Sequence, residues 1–161
     1  MKKGGGEFKL GRDIHLEQGK YDEVSSPYLI SSGGLGPCIA IGIYHKSKGK
    51  GYMLHVANPS RDYGSVDVFL NYVITHTKNS LGLKVYIHGS SIDRIDGDEG
   101  NEDANEDRAY VERIVREKLK TQNITIDWCQ KDSTCELFLY TETGEFKTEN
   151  NLRDEILDES E

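Results

Sequence analysis

Positive charge, cysteine pairs and long apolar runs are scarce in this 161-residue chain. Lys and Arg number 20 against 28 Asp and Glu, a formal charge of −8, and such a balance repels phosphate backbones and anionic lipid surfaces. Nucleic acid is therefore not an expected partner. Apolar stretches break off after a few residues, and Met1-Lys2-Lys3 runs into Gly4-Gly5-Gly6 where a signal peptide would need an apolar segment. Neither a leader nor membrane insertion is expected, and the reading is a cytoplasmic protein. Cys38, Cys129 and Cys135 are odd in number and lack a CxxC spacing, which argues against a disulfide framework and a zinc knuckle alike. No metal or other cofactor is expected.

What is present is enough apolar residue, 35% of the chain, for one core and too little for two. A single domain over 1–161 is expected, with its core at about 8–148, frayed N-terminal glycines and an acidic tail over 150–161. The charge is concentrated: eight carboxylates between Asp93 and Asp107, offset by Arg94 alone, carry seven of the eight net negative charges. Interleaved with Gly97, Gly100, Asn101 and Asn105, they read as a solvated loop over 93–108. A calcium loop starting at Asp96 fails in detail, because it puts Gly100 at a ligand position and Asn101 where the glycine belongs.

Val66, Phe69, Leu70, Val73 and Ile74 follow a 3.6-residue period and predict one amphipathic helix; Val111, Ile114, Val115 and Leu119 predict a second. Strands are expected at 28–31, 39–44, 51–56, 83–87, 124–128, 136–141 and 145–148. With only two strand-to-helix alternations, the fold class is α+β, a largely β core with two main helices packed on it.

Residues 39–44 and 51–56 flank a Lys, Ser and Gly-rich turn and predict a hairpin. A register with Ile39 facing Leu54 and Ile41 facing Tyr52 pairs apolar residues and sets Cys38 directly opposite His55. A thiol beside an imidazolium has a lowered pKa and becomes a nucleophilic thiolate. The approach Gly33-Gly34-Leu35-Gly36-Pro37 can turn backbone amides toward an oxyanion beside the sulfur. Pro37 cannot donate, which leaves Cys38 and the glycines, Gly34 and Gly36 among them. The plainer alternative is a buried cysteine acting as a small hydrophobe beside an ordinary turn. A phosphate loop is disfavoured, since no Gly-Lys-Ser/Thr follows. Cys129 and Cys135 read as packing residues, and of the other histidines His88, at a strand end before Gly89, is the one to watch.

Ser32-Gly33-Gly34-Leu35-Gly36-Pro37-Cys38, followed by Leu54-His55-Val56-Ala57-Asn58-Pro59, resembles the CheD family of chemoreceptor glutamine deamidases, which carry a Thr-x-Gly-x-Gly-Ser-Cys turn and a histidine one hairpin later. Lys84-Val85-Tyr86-Ile87-His88-Gly89 and residues 123–127 are similar to later strands of that family. The resemblance implies an α+β fold related to the cytotoxic necrotizing factor toxins. It also implies a site of Cys38, His55 and Ser32 that needs no cofactor and turns protein glutamine into glutamate. Ser32 stands where the family has threonine and Pro37 where it has serine. The family's late Gly-Gly-x-x-Gly-Arg stretch is absent at residues 131–135. The implied partners are a glutamine-bearing, chemoreceptor-like protein and a signalling phosphatase. The alternatives are a catalytically idle relative acting as a binding module, and an amidase with another protein substrate.

Overall fold

The computed structural model describes residues 11–62, 64–78, 82–91 and 97–152. The protein is a mixed α+β fold with a largely β core, as its sequence pattern predicts. In chain order the elements are β1 (Ile14–Leu16), β2 (Tyr21–Ser25), β3 (Leu29–Ser32), β4 (Ile39–His45), β5 (Lys50–Val56), α1 (Ser65–Thr77), β6 (Leu83–Gly89), α2 (Gly97–Lys118), β7 (Ile124–Trp128), β8 (Ser133–Tyr140) and β9 (Glu145–Leu152). They form a five-stranded sheet in the order β2-β5-β4-β6-β7 and a four-stranded sheet in the order β1-β3-β8-β9. The Gly4–Gly6 segment, Asp93 to Asp96 and most of the acidic tail lie outside the described residues. Strand β9, however, runs two residues past the predicted start of that tail.

Strand β4 explains the layering. All seven of its residues are buried, which an alternating strand allows only when both faces of its sheet are covered. Ile39, Ile41 and Ile43 pack with Val66, Phe69, Leu70 and Val73 of α1 and with Val111 and Val115 of α2. Cys38, Ala40 and Tyr44 pack on the other side with Ile30, Leu137 and Leu139 of the four-stranded sheet. Burying each large side chain of α1 contributes on the order of 1.5–3 kcal/mol. The helix therefore owes its place to this stripe and not to an N-terminal side-chain cap, which it lacks.

From Gly97 onward the predicted acidic loop is instead the N-terminal half of α2. Three physical reasons favour helix. Ala104, Arg108, Val111 and Val115 continue one face at i, i+4, i+7 and i+11. Arg116 and Lys118 sit in the last turn, near the negative end of the helix dipole. Arg116 pairs with Glu112 at 3.2 Å and Arg113 with Glu117 at 3.6 Å, each one turn apart.

The hairpin register also differs from the expected one. Ile39 faces Val56, Ala40 faces His55 and Ile41 faces Leu54. The cause is the connection: a 3-10 turn over Lys46–Lys48, closed by Gly49 in the left-handed region, makes His45 and Lys50 the last pair. A shift of two residues keeps every side chain on its predicted face, whereas a shift of one would have inverted them all.

Candidate active site

Cys38 lies two residues before Ala40, so it shares the face of Ala40 and of His55 opposite. It is diagonal to His55, where it was expected to be directly across. Diagonal neighbours have Cα atoms roughly 7–8 Å apart, a gap that long side chains bridge. Cys38 and His55 are each 4% exposed, and Ser32 is fully buried. No hydrogen bond joins thiol and imidazole; the Cys38 thiol instead donates to Oε1 of Gln18 at 3.7 Å. The two-residue register shift separates the pair that the sequence pattern set face to face.

Ser32, at the end of β3 in the other sheet, crosses the gap between sheets. Its Oγ is 2.6 Å from Nδ1 of His55 and 3.5 Å from the carbonyl of Leu16. A hydroxyl has one proton, so in the arrangement where Ser32 donates to the Leu16 carbonyl it accepts from His55 Nδ1–H. That tautomer leaves Nε2 as a lone pair, and His55 Nε2 is buried without a hydrogen-bond partner. An unpartnered buried nitrogen is costly, and here it stands on the face that carries the thiol.

A second histidine occupies the same row. Ala40 pairs with His55 on one side and with His88 of β6 on the other, which puts His55, Ala40 and His88 on one face. His88 Nδ1 donates to the backbone carbonyl of Asp127, and its Nε2 is also buried and unpartnered. Burial holds both imidazoles below the ordinary histidine value; His15 adds to this at His55, and Asp127 opposes it at His88. Burial pushes the Cys38 thiol up, and the charge of Asp107 pushes it further. Burial thus favours the neutral form of both groups, the reverse of the imidazolium-activated thiolate expected from the sequence.

The turn before Cys38 is held from both sides. Leu35 N–H donates to the carbonyl of Cys135 at 3.0 Å and the Cys135 thiol donates back to the carbonyl of Leu35 at 3.3 Å. Gly34 sits at φ +66°, where a side chain would be strained. The Gly36 amide is spent on the carbonyl of Gly34 at 3.1 Å, while the amides of Gly34 and Cys38 have no acceptor among the described residues. With Gly33, whose amide likewise has no acceptor among the described residues, those two are the turn's unspent donors, and Gly36 is not among them. Gly89 closes the far side: its φ is +118°, and a Cβ there would lie 2.3 Å from the carbonyl oxygen of Cys38.

Helix α2 braces this architecture through residues that the loop reading could not assign. Asp107 is buried and accepts from Ser60 N–H at 3.0 Å and from Ser60 Oγ at 2.5 Å, which holds the turn that follows His55. Arg108 donates from Nε to Ser90 Oγ at 3.1 Å and stacks on Trp128, and Ser90 N–H donates to the carbonyl of Cys38 at 2.9 Å. Cys129, just after β7, and Cys135, on β8, are buried in the second apolar cluster. Among the described residues no group of three His, Cys, Asp or Glu is placed to hold a metal ion, and no helix is long and apolar enough to cross a membrane. An open cleft of about 940 Å³ lies elsewhere, lined by Asp22, Glu23, Tyr28, Tyr72 and His76, and contains neither Cys38 nor His55.

No protein-family model matches the chain, and no curated protein matches it. Among solved structures it is similar to the Bacillus licheniformis hypothetical protein YfiH, with a TM-score of 0.45 and 10% identity over 66% of this chain and 49% of that one. The chain thus spans about half the length of that structure.

Proposed function

We propose that the protein is a cysteine-dependent amidohydrolase that converts glutamine side chains of a protein substrate to glutamate. The observation that carries this reading is the Ser32–His55 contact of 2.6 Å, which leaves a buried, unpartnered Nε2 on the face of Cys38. That is the tautomer a general base needs beside a nucleophile, with a third group orienting it.

In this reading Cys38 Sγ attacks the carboxamide carbon as His55 Nε2 takes the thiol proton, because neither group is charged beforehand. Collapse of the tetrahedral adduct expels ammonia, which receives the proton from His55 Nε2. Water then hydrolyses the thioester with His55 again acting as base. The free amides of Gly34 and Cys38 are the oxyanion donors. Glutamine within a protein, as on a chemoreceptor, is the substrate that the resemblance of residues 32–38 and 54–59 to the CheD family suggests, with a signalling phosphatase as partner and the cytoplasm as the compartment.

A second reading, a catalytically idle binding module, draws on the buried thiol and its covering by Gln18. Ammonia release separates the two. Incubated with a cytosolic extract or purified chemoreceptor domains, the wild type is expected to release ammonia and Cys38→Ser is not; absence of release from the wild type favours the binding module.

A further inference from the structure

The hydrogen-bond acceptor of the candidate nucleophile is itself a glutamine carboxamide. Cys38 Sγ donates to Gln18 Oε1 at 3.7 Å, and Gln18 belongs to the turn between β1 and β2. That turn is tied to the candidate base: Gly19 N–H donates to the carbonyl of His55 at 2.8 Å, and His55 N–H donates to the carbonyl of Lys20 at 3.0 Å. Lys20 N–H closes the turn on the carbonyl of Glu17 at 3.2 Å, with Gly19 at φ +83°. Backbone bonds to one catalytic residue thus deliver a carboxamide to the other. The Gln18 residue is exposed, so its amide can rotate about the last side-chain bond and water can reach it.

We infer that Gln18 is a substrate of its own active site, deamidated in cis to glutamate by Cys38. The inference rests on the proposed amidohydrolase reading and names one glutamine it acts on. The Sγ–Cδ bond forms as the thiol proton passes to His55 Nε2. The Cδ–N bond breaks as that proton goes to the departing ammonia, leaving a Cys38–Gln18 thioester. A solvent water adds to the thioester carbonyl, the Sγ–Cδ bond breaks, and the thiol is restored with a carboxylate at position 18. A carboxamide tethered beside its nucleophile reacts at a high effective concentration, so the step needs no binding of a second protein. After it, the thiol faces a carboxylate in place of a carboxamide, and repulsion between that group and a developing thiolate favours moving the turn away from Cys38.

The chain has two other glutamines, Gln122 and Gln130; both are exposed, and neither hydrogen-bonds Cys38, so they serve as internal controls. The test is peptide mass spectrometry of the purified full chain after tryptic digestion, reading the peptide of residues 13–20. The expected result is a gain of about one mass unit at Gln18 in the wild type, the difference between an amide and an acid. Gln122 and Gln130 should be unchanged. Cys38→Ser and Cys38→Ala, each checked for folding by circular dichroism, should keep Gln18 intact. Two results overturn the inference: a wild type that keeps Gln18 as glutamine on prolonged incubation, or an equal gain in the cysteine variants, which would be spontaneous chemistry. If a wild type with intact Gln18 still releases ammonia from other proteins, only this inference falls. If it does neither, the amidohydrolase reading falls as well.

Discussion

Ser32 Oγ stands 2.6 Å from His55 Nδ1 across the gap between two sheets, and the Leu16 carbonyl at 3.5 Å offers an acceptor for the Ser32 proton when His55 donates from Nδ1. Ser32→Ala removes the acceptor and leaves a buried imidazole N–H unpaired. Loss of about 1–3 kcal/mol of stability is expected in urea titration. Ammonia release should fall roughly ten-fold, less than the roughly 10²-fold or greater fall expected for His55→Ala, since an orienting group contributes less than the base it orients. Ser32→Thr, which keeps the hydroxyl, should retain most activity. An unchanged rate in Ser32→Ala would remove the orienting role.

Thiol reactivity tests the electrostatics of the site. Burial and Asp107 both push the Cys38 thiol up, so alkylation by iodoacetamide is expected to be slow at pH 6.5 and to accelerate only as pH rises past the ordinary thiol value of about 8.5. Gln18→Ala removes the group that accepts from the thiol and should speed alkylation about five-fold, the equivalent of about 1 kcal/mol for one neutral hydrogen bond. Rapid alkylation at pH 6.5 would mean that a thiolate is present at rest.

Asp107 gives two readouts from one substitution. Asp107→Asn weakens the contacts to Ser60 N–H and Oγ and should destabilise the fold by about 1–3 kcal/mol. It also removes a negative charge that raises the Cys38 thiol, so alkylation of Cys38 should start at lower pH. Deleting residues 97–107 should be far more damaging than trimming a solvated loop, because the segment is helix and its Asp107 holds Ser60 in place. A deletion with unchanged stability would contradict that.

Acid should weaken the fold. His55 and His88 are held neutral by burial, so their folded pKa values lie below the unfolded value of about 6.5. In that window the unfolded chain binds more protons than the native one, so stability is complete above about pH 6.5 and falls as pH drops through it toward the depressed native values. Urea midpoints at pH 7.5 and pH 5.5 should show the decrease, and His88→Gln should shrink it. A midpoint that rises on acidification would contradict the neutral assignment.

Helix α1 and the burial of β4 were legible because their signals are local: a 3.6-residue stripe at Val66, Phe69, Leu70 and Val73, and an apolar run at Ile39 to Tyr44. The common face of Cys38 and His55 was legible too, because parity survives a register shift of two. The register itself depended on how many residues the turn at Gly49 would use, which apolar pairing alone could not decide. Strands β1 and β2 escaped because they are short and carry His15, Asp22 and Glu23 among their few apolar residues. The acidic half of α2 escaped because Gly97, Gly100 and the carboxylates resemble a loop by composition, although Ala104 and Arg108 continue the helical face. Gln18 had no signal at all: its place beside Cys38 comes from backbone bonds between its turn and His55.

The most direct test of the account is deamidation of a glutamine-bearing protein in water labelled with oxygen-18. Hydrolysis of a Cys38 thioester by solvent predicts glutamates heavier by about three mass units than the original glutamines, one from amide-to-acid conversion and two from the labelled oxygen. The wild type should produce them and Cys38→Ser should not. Labelled glutamate formed equally well by Cys38→Ser would contradict the assignment of Cys38 as nucleophile.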